Sequence, residues 1–169
     1  VVVAVDPSGT DGADDGDEIG IIVAGKGADG NAYVLADRSC RLSPQQWAKR
    51  AVDAYREFSA DRIVAEKNFG GAMVESVLRA VDKTVPVKMV TASRGKIARA
   101  EPVAALYEQK RVFHARPFPE LEDQLCALVP EGYVGEGSPD RADALTWAIT
   151  ELMITQPAPI ARIGTYSVR

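Results

Sequence analysis

Two hydrophobic rhythms divide this chain. Residues 1–5, VVVAV, form an unbroken apolar and largely β-branched run, the pattern of a strand covered on both faces. The run ends at Asp6, which Pro7-Ser8-Gly9 follows. Strand-like runs at 19–25 and 32–37 meet across the glycine-rich GKGADGN, whose length and composition suit a hairpin. The opening therefore predicts an antiparallel meander of three strands, the first over 1–6.

At Ser43 the period lengthens. Ser43-Pro44-Gln45-Gln46 supplies an N-cap, a proline at the first helical position and a capping-box glutamine; Trp47, Ala51, Ala54, Tyr55 and Phe58 then recur at helical spacing. This predicts a helix over 44–58. Beyond it strands and helices alternate: strand 62–66, helix 72–81, strand 85–91, a helical stretch ending near 110, strand 112–114, helix 120–128 and a final helix 139–154. Helices between short apolar runs imply parallel crossovers. Three antiparallel strands followed by parallel βαβ units, all flanked by helices, is the α/β layout of a ribonuclease H-like mixed sheet. The expected division is one domain over 1–154 and a proline-containing tail over 155–169, a linker or docking segment.

Composition narrows the class. With 169 residues, 46% of them hydrophobic, the chain has the makings of one well-buried core. No apolar run approaches the roughly 20 residues of a spanning helix, and the valine-rich start lacks a basic leader, so no membrane partner is expected and a cytoplasmic location is. The distant Cys40 and Cys126 read as buried, reduced thiols. A net charge of −4 argues against a protein that coats nucleic acid by bulk electrostatics. It leaves a nuclease open, because a carboxylate metal site is itself negative. The chain starts within a strand and without methionine, so it is expected to be a domain of a longer protein.

In a sheet of this layout the first and fourth strands lie parallel and open on one rim, where strand order reverses. The first ends in Asp6 and the fourth, RIVAE, in Glu66. SPDRADALTWAITEL adds Ser138 as a cap, Pro139 at the first helical position, and Asp140 and Asp143 three apart on one helical face. Three of the acids have a plainer reading: Asp6 as a turn former, Asp140 and Asp143 as acids favoured at a helix N-terminus. Taken together, four carboxylates without histidine or cysteine describe an all-oxygen site for Mg²⁺ or Mn²⁺ rather than Zn²⁺. Two such ions roughly 4 Å apart serve phosphodiester hydrolysis without a histidine base.

VVAVDPSGT, IVAEKNFGG and SPDRADALTWAITEL resemble the three motifs of the C-terminal nuclease domain of large terminase subunits, the DNA-packaging motors of tailed phages and gene transfer agents. The resemblance runs from residue 1 to about 153. It implies a metal-dependent endonuclease that cuts concatemeric double-stranded DNA in the host cytoplasm, transiently at the procapsid portal. It also implies an ATPase half of the same subunit, a portal and a small terminase subunit as partners. Position by position, Asp6, Glu66 and Asp140 match the family's acids, and Asp143 matches a frequent additional one. No GxxxxGK[ST] occurs, so ATP hydrolysis is not expected of this chain. Rival readings are a Holliday-junction resolvase or ribonuclease H of the same fold, and a non-catalytic DNA or portal docking module.

The remaining signals are weaker. GKGADG matches GxGxxG but precedes a strand rather than a helix, so it reads as a turn. TDGADDGDE, residues 10–18, lacks the ordered spacing of a calcium loop and reads as a solvated loop bordering the rim. Arg94, Lys96 and Arg99 lie beyond the fifth strand and Lys67 follows Glu66; all four are candidate phosphate contacts, with a solvated helix start as the alternative for the first three. His114 reads as structural.

Overall fold

The computed structural model describes residues 1–7, 18–67 and 71–155, with the backbone alone at 71 and 72. Most of TDGADDGDE, residues 68–70 of the second motif and the tail from 156 onward lie outside the described residues.

The elements run β1 (Val2–Asp6), β2 (Gly20–Lys26), β3 (Ala32–Asp37), α1 (Pro44–Glu57), β4 (Arg62–Glu66), α2 (Gly71–Val81), β5 (Val87–Val90), α3 (Lys96–Glu108), β6 (Val112–His114), α4 (Pro119–Cys126), β7 (Leu128–Val129), β8 (Gly132–Tyr133) and α5 (Asp140–Ile149). A six-stranded sheet has the order β5-β4-β1-β2-β3-β6. The β1–β2 and β2–β3 pairs are antiparallel. The β1–β4, β4–β5 and β3–β6 pairs are parallel. This is the predicted mixed sheet, with β1 and β4 side by side in its interior. A small β7–β8 hairpin, absent from the expectation, stands apart.

Each face of the sheet carries its own core. Val3, Val5, Ile63 and Ala65 pack with Trp47, Ala51, Val74 and Leu78 from α1 and α2. Val2, Ala4 and Val64 pack with Val103 and Leu106 of α3, Leu121 of α4, and Leu145 and Ala148 of α5. Strand side chains alternate faces, so Asp6 continues the Val2-Ala4 row and Glu66 follows Val64 onto the α5 side.

Several boundaries differ from expectation for definable reasons. The fifth strand starts at Val87 rather than 85, because Pro86 has no N–H to give the ladder and only its carbonyl accepts, from Ile63. The final helix leaves α geometry after Ile149 and continues as a π-helical turn over Thr150–Ile154, which seats Glu151 against Lys88 (2.6 Å) and Arg62 (3.3 Å). Ser138 does not cap that helix and Pro139 is not its first residue: Pro139 is the N-cap. Gln124 of α4 does the capping instead, its Oε1 accepting from the backbone N–H groups of Arg141 (2.9 Å) and Ala142 (3.2 Å).

GKGADG is the predicted turn, with Gly30 at φ +81° and β3 directly after it. Cys40 is buried, but Cys126 is exposed, because α4 turns Leu121 and Leu125 to the core instead. His114 bridges elements through Glu122 (2.8 Å) and Tyr107 (2.7 Å). Among the described residues no helix is long and apolar enough to cross a membrane.

Candidate active site

Parallel pairing of Val5 with Ala65 carries the two strand ends, Asp6 and Glu66, to one rim. Helix α5 meets the same rim at β2, where Gly20 pairs with Asp6. A Cβ at Gly20 would overlap the Asp140 carbonyl, so only glycine lets the first turn of α5 lie this close. That approach delivers Asp140 and Asp143 to the strand ends. All four predicted acids are buried, at 4% exposure for Asp6, 5% for Glu66, 3% for Asp140 and 4% for Asp143. Buried carboxylates are rare enough that four at one rim require a purpose.

Their surroundings fall into three groups. Trp147, one turn beyond Asp143, donates its indole N–H to Glu66 Oε2 at 2.8 Å. Ser138 donates its hydroxyl to Asp140 Oδ1 at 2.6 Å. The third group is cationic. Arg99 donates to Glu66 Oε2 (3.3 Å) and Asp143 Oδ1 (3.5 Å), and its guanidinium lies over the Trp147 ring, 4.7 Å from the centroid. Lys96 Nζ stands 2.5 Å from Asp143 Oδ2. That contact pairs the ammonium with a buried carboxylate oxygen.

Burial dominates the electrostatics, with the acids' own charges second. Burial, and then the charges of Asp143, Glu66 and Asp140, hold the Asp6 carboxyl well above the ordinary carboxylate range, with Lys96 only partly opposing them. Asp140 is pushed up to about 6, again chiefly by burial, against the Ser138 hydrogen bond and the Lys96 charge. Burial works to lower the Lys96 ammonium, but pairing with Asp143 and the charges of Asp6 and Asp140 outweigh it and raise the pKa.

Sequence reading missed the framework behind α5. Arg141, between the two helix acids, points away from them. Its Nε and Nη2 donate to Glu18 (2.9 and 2.8 Å) and its Nη1 to Asp37 (2.5 Å). Gln124 Nε2 also reaches Glu18, at 3.2 Å. Thus Glu18, expected in a solvated loop, anchors the helix that carries Asp140 and Asp143. The available signal was Arg141 within the acid motif, but its partners are more than a hundred residues away in sequence.

Of the four basic residues expected at phosphates, Lys96 and Arg99 are turned onto the acids, whereas Lys67 and Arg94 are exposed at the same rim. Divalent-metal chemistry fits the donor set: hard carboxylate oxygens from four acids at one rim, with the carboxyls of Asp6 and Asp140 raised first by burial and then by neighbouring charge. Among the described residues no three such side chains converge at metal-holding spacing, and Lys96 and Arg99 stand among them.

The chain matches the family model described as the terminase RNaseH-like domain over residues 3–152. No curated protein matches it. Among solved structures it is similar to the large terminase nuclease from thermophilic phage G20c, with a TM-score of 0.69 at 15% identity over 89% of this chain and 81% of that one. The magnesium-bound form of that nuclease gives 0.61 at 14% identity over 89% and 81%. The yeast mitochondrial Holliday junction resolvase gives 0.51 at 13% identity over 87% and 75%. At such identities the likeness is one of fold, and the matched residues span every element that carries an acid, from β1 to α5. The chain belongs to the terminase ribonuclease H-like domain family.

Proposed function

We propose that this domain is a divalent-metal-dependent endonuclease that hydrolyses phosphodiester bonds of double-stranded DNA during genome packaging, as the nuclease part of a large terminase subunit. One observation carries the reading. Four acids from β1, β4 and α5 are buried at one rim, where burial first, and then neighbouring charge, raises the pKa values of Asp6 and Asp140. Structures of the phage G20c nuclease with bound cobalt and bound magnesium support the choice of ion.

Asp6, Glu66, Asp140 and Asp143 would hold Mg²⁺ or Mn²⁺, two ions in the full site. The ions would supply an activated water and stabilisation of the leaving oxygen. The chain's residues do the positioning. The buried strands fix Asp6 and Glu66, Trp147 holds one Glu66 oxygen, and the Gln124–Arg141–Glu18 framework fixes the helix that presents the other two acids. Exposed Lys67 and Arg94 are placed to meet DNA phosphates at the rim. The ATPase half, portal and small terminase subunit are the partners this role calls for.

Incubating the protein with linear duplex DNA and Mn²⁺ or Mg²⁺ tests the reading. Cleavage is expected with either ion, none with a chelator, and at least a hundredfold less after Asp6→Asn. The likeness to a junction resolvase is the observation favouring a second reading. A preference for four-way junctions, or for RNA–DNA hybrid, over linear duplex would replace the packaging role. Cleavage that survives Asp6→Asn would remove the site altogether.

A further inference from the structure

The two cations among the acids differ in kind. Arg99 is 12% exposed, lies over Trp147, and shares its guanidinium between Glu66 and Asp143 Oδ1. Such a planar group, on an aromatic face and between two carboxylates, is enclosed by its surroundings. Lys96 is 45% exposed, extends from the first turn of α3 on a flexible stem, and meets the other oxygen, Asp143 Oδ2. It also donates to the Ser138 hydroxyl, at a longer 3.4 Å. Asp143 thus divides its carboxylate between a nearly buried cation and a half-exposed one that solvent can reach.

We propose that Lys96 is a resident counter-cation that competes with divalent metal for Asp143, so that metal binding and the departure of Lys96 from Asp143 are one linked event. The inference rests on the metal-dependent nuclease reading and concerns how that site is regulated. An ammonium and a metal ion cannot both approach one buried oxygen closely without strong mutual repulsion. Lys96 therefore weakens the metal site, and by linkage metal must weaken the Lys96–Asp143 pair by the same factor. Arg99 also opposes a metal ion through its charge, but it is nearly buried and holds the opposite Asp143 oxygen, so Lys96 is the cation with a path out to solvent. Once released, Lys96 is a free cation beside exposed Arg94, where a DNA phosphate would arrive. Metal loading then exposes a phosphate contact, and DNA that draws Lys96 away favours the metal.

Calorimetric Mn²⁺ titration of the wild-type protein, Lys96→Gln, Lys96→Arg and Asp6→Asn tests this, with thermal unfolding reporting that each variant is folded. Lys96→Gln is expected to bind Mn²⁺ about tenfold more tightly, the effect one neighbouring charge has on a titrating group, while Lys96→Arg stays close to wild type. Unchanged or weaker binding by folded Lys96→Gln overturns the proposal. A second measurement uses the wild-type protein alone. Acetylation of Lys96, followed by mass spectrometry, is expected to be several-fold faster in Mn²⁺ than in chelator, and equal rates overturn the proposal. If the wild-type protein binds no Mn²⁺, or Asp6→Asn binds it equally well, the nuclease-site reading fails and the competition with it. If Asp6→Asn abolishes binding and Lys96→Gln leaves it unchanged, only the competition fails.

Discussion

The Asp140 carbonyl occupies the space that a side chain on Gly20 would need. Gly20 pairs with Asp6 across the β1–β2 ladder, so one missing methyl group sets the distance between the strand acid and the helix acids. Gly20→Ala is expected to push the first turn of α5 off the sheet. The cost should be about 1–3 kcal/mol, the usual range for overpacking. Urea denaturation measures that loss, and Mn²⁺ titration should show a larger defect in metal binding than the stability loss alone accounts for.

Trp147→Phe separates two roles of one side chain. It keeps an aromatic ring for Arg99 and deletes the N–H that Glu66 Oε2 accepts at 2.8 Å. A hydrogen bond to a charged group is worth about 1.5–3 kcal/mol, so a stability loss of that order is expected in urea. Glu66, no longer held at that oxygen, should also give slower cleavage at saturating Mn²⁺.

Arg141 should matter for the site without touching the four acids. Replacing it with methionine leaves Glu18 and Asp37, at 17% and 7% side-chain exposure, without their cationic partner. Breaking a buried pair from one side costs about 3–5 kcal/mol; with Glu18 partly solvated, the low end of that range is expected in chemical denaturation. Arg141→Lys retains the charge but loses the two-pronged contact with Glu18, so it should recover only part of the loss.

Stability of the metal-free protein should fall with rising pH across the range in which Asp140 titrates. Its ordinary value is 3.8 and its folded value about 6. Between these the folded chain holds a proton that the unfolded chain has released. Folding is therefore favoured at the acidic end, and that contribution is lost as pH rises through 6. Melting temperatures from pH 4 to 7 should show this decline, should show less of it in Asp140→Asn, and should flatten when Mg²⁺ or Mn²⁺ is added.

Much of this site is legible in local pattern because its determinants are local. The period-two alternation that buries Val2, Ala4 and Val64 also assigns Asp6 and Glu66 to one face, and three-residue spacing puts Asp140 and Asp143 together on α5. Parallel pairing of β1 and β4 follows from the alternation of helices and strands. Helix ends were less legible: serine, proline and aspartate are all good residues for a helix start, and Gln124 from another helix took the capping position.

The six strands of the mixed sheet, the five helices and the choice of four acids follow from local pattern, since hydrophobic period acts over a few residues. Tertiary structure alone decided the electrostatics. Lys96 and Arg99 read equally well as solvent-facing phosphate contacts, and only the docking of α3 against α5 turns them onto Asp143 and Glu66. Gly20, Gln124 and Glu18 carry no local signal for their roles, because each acts through a contact with α5 that exists only once the sheet is covered. Charge balance in a buried site depends on distances between segments remote in the chain, and those distances are a property of the packed fold.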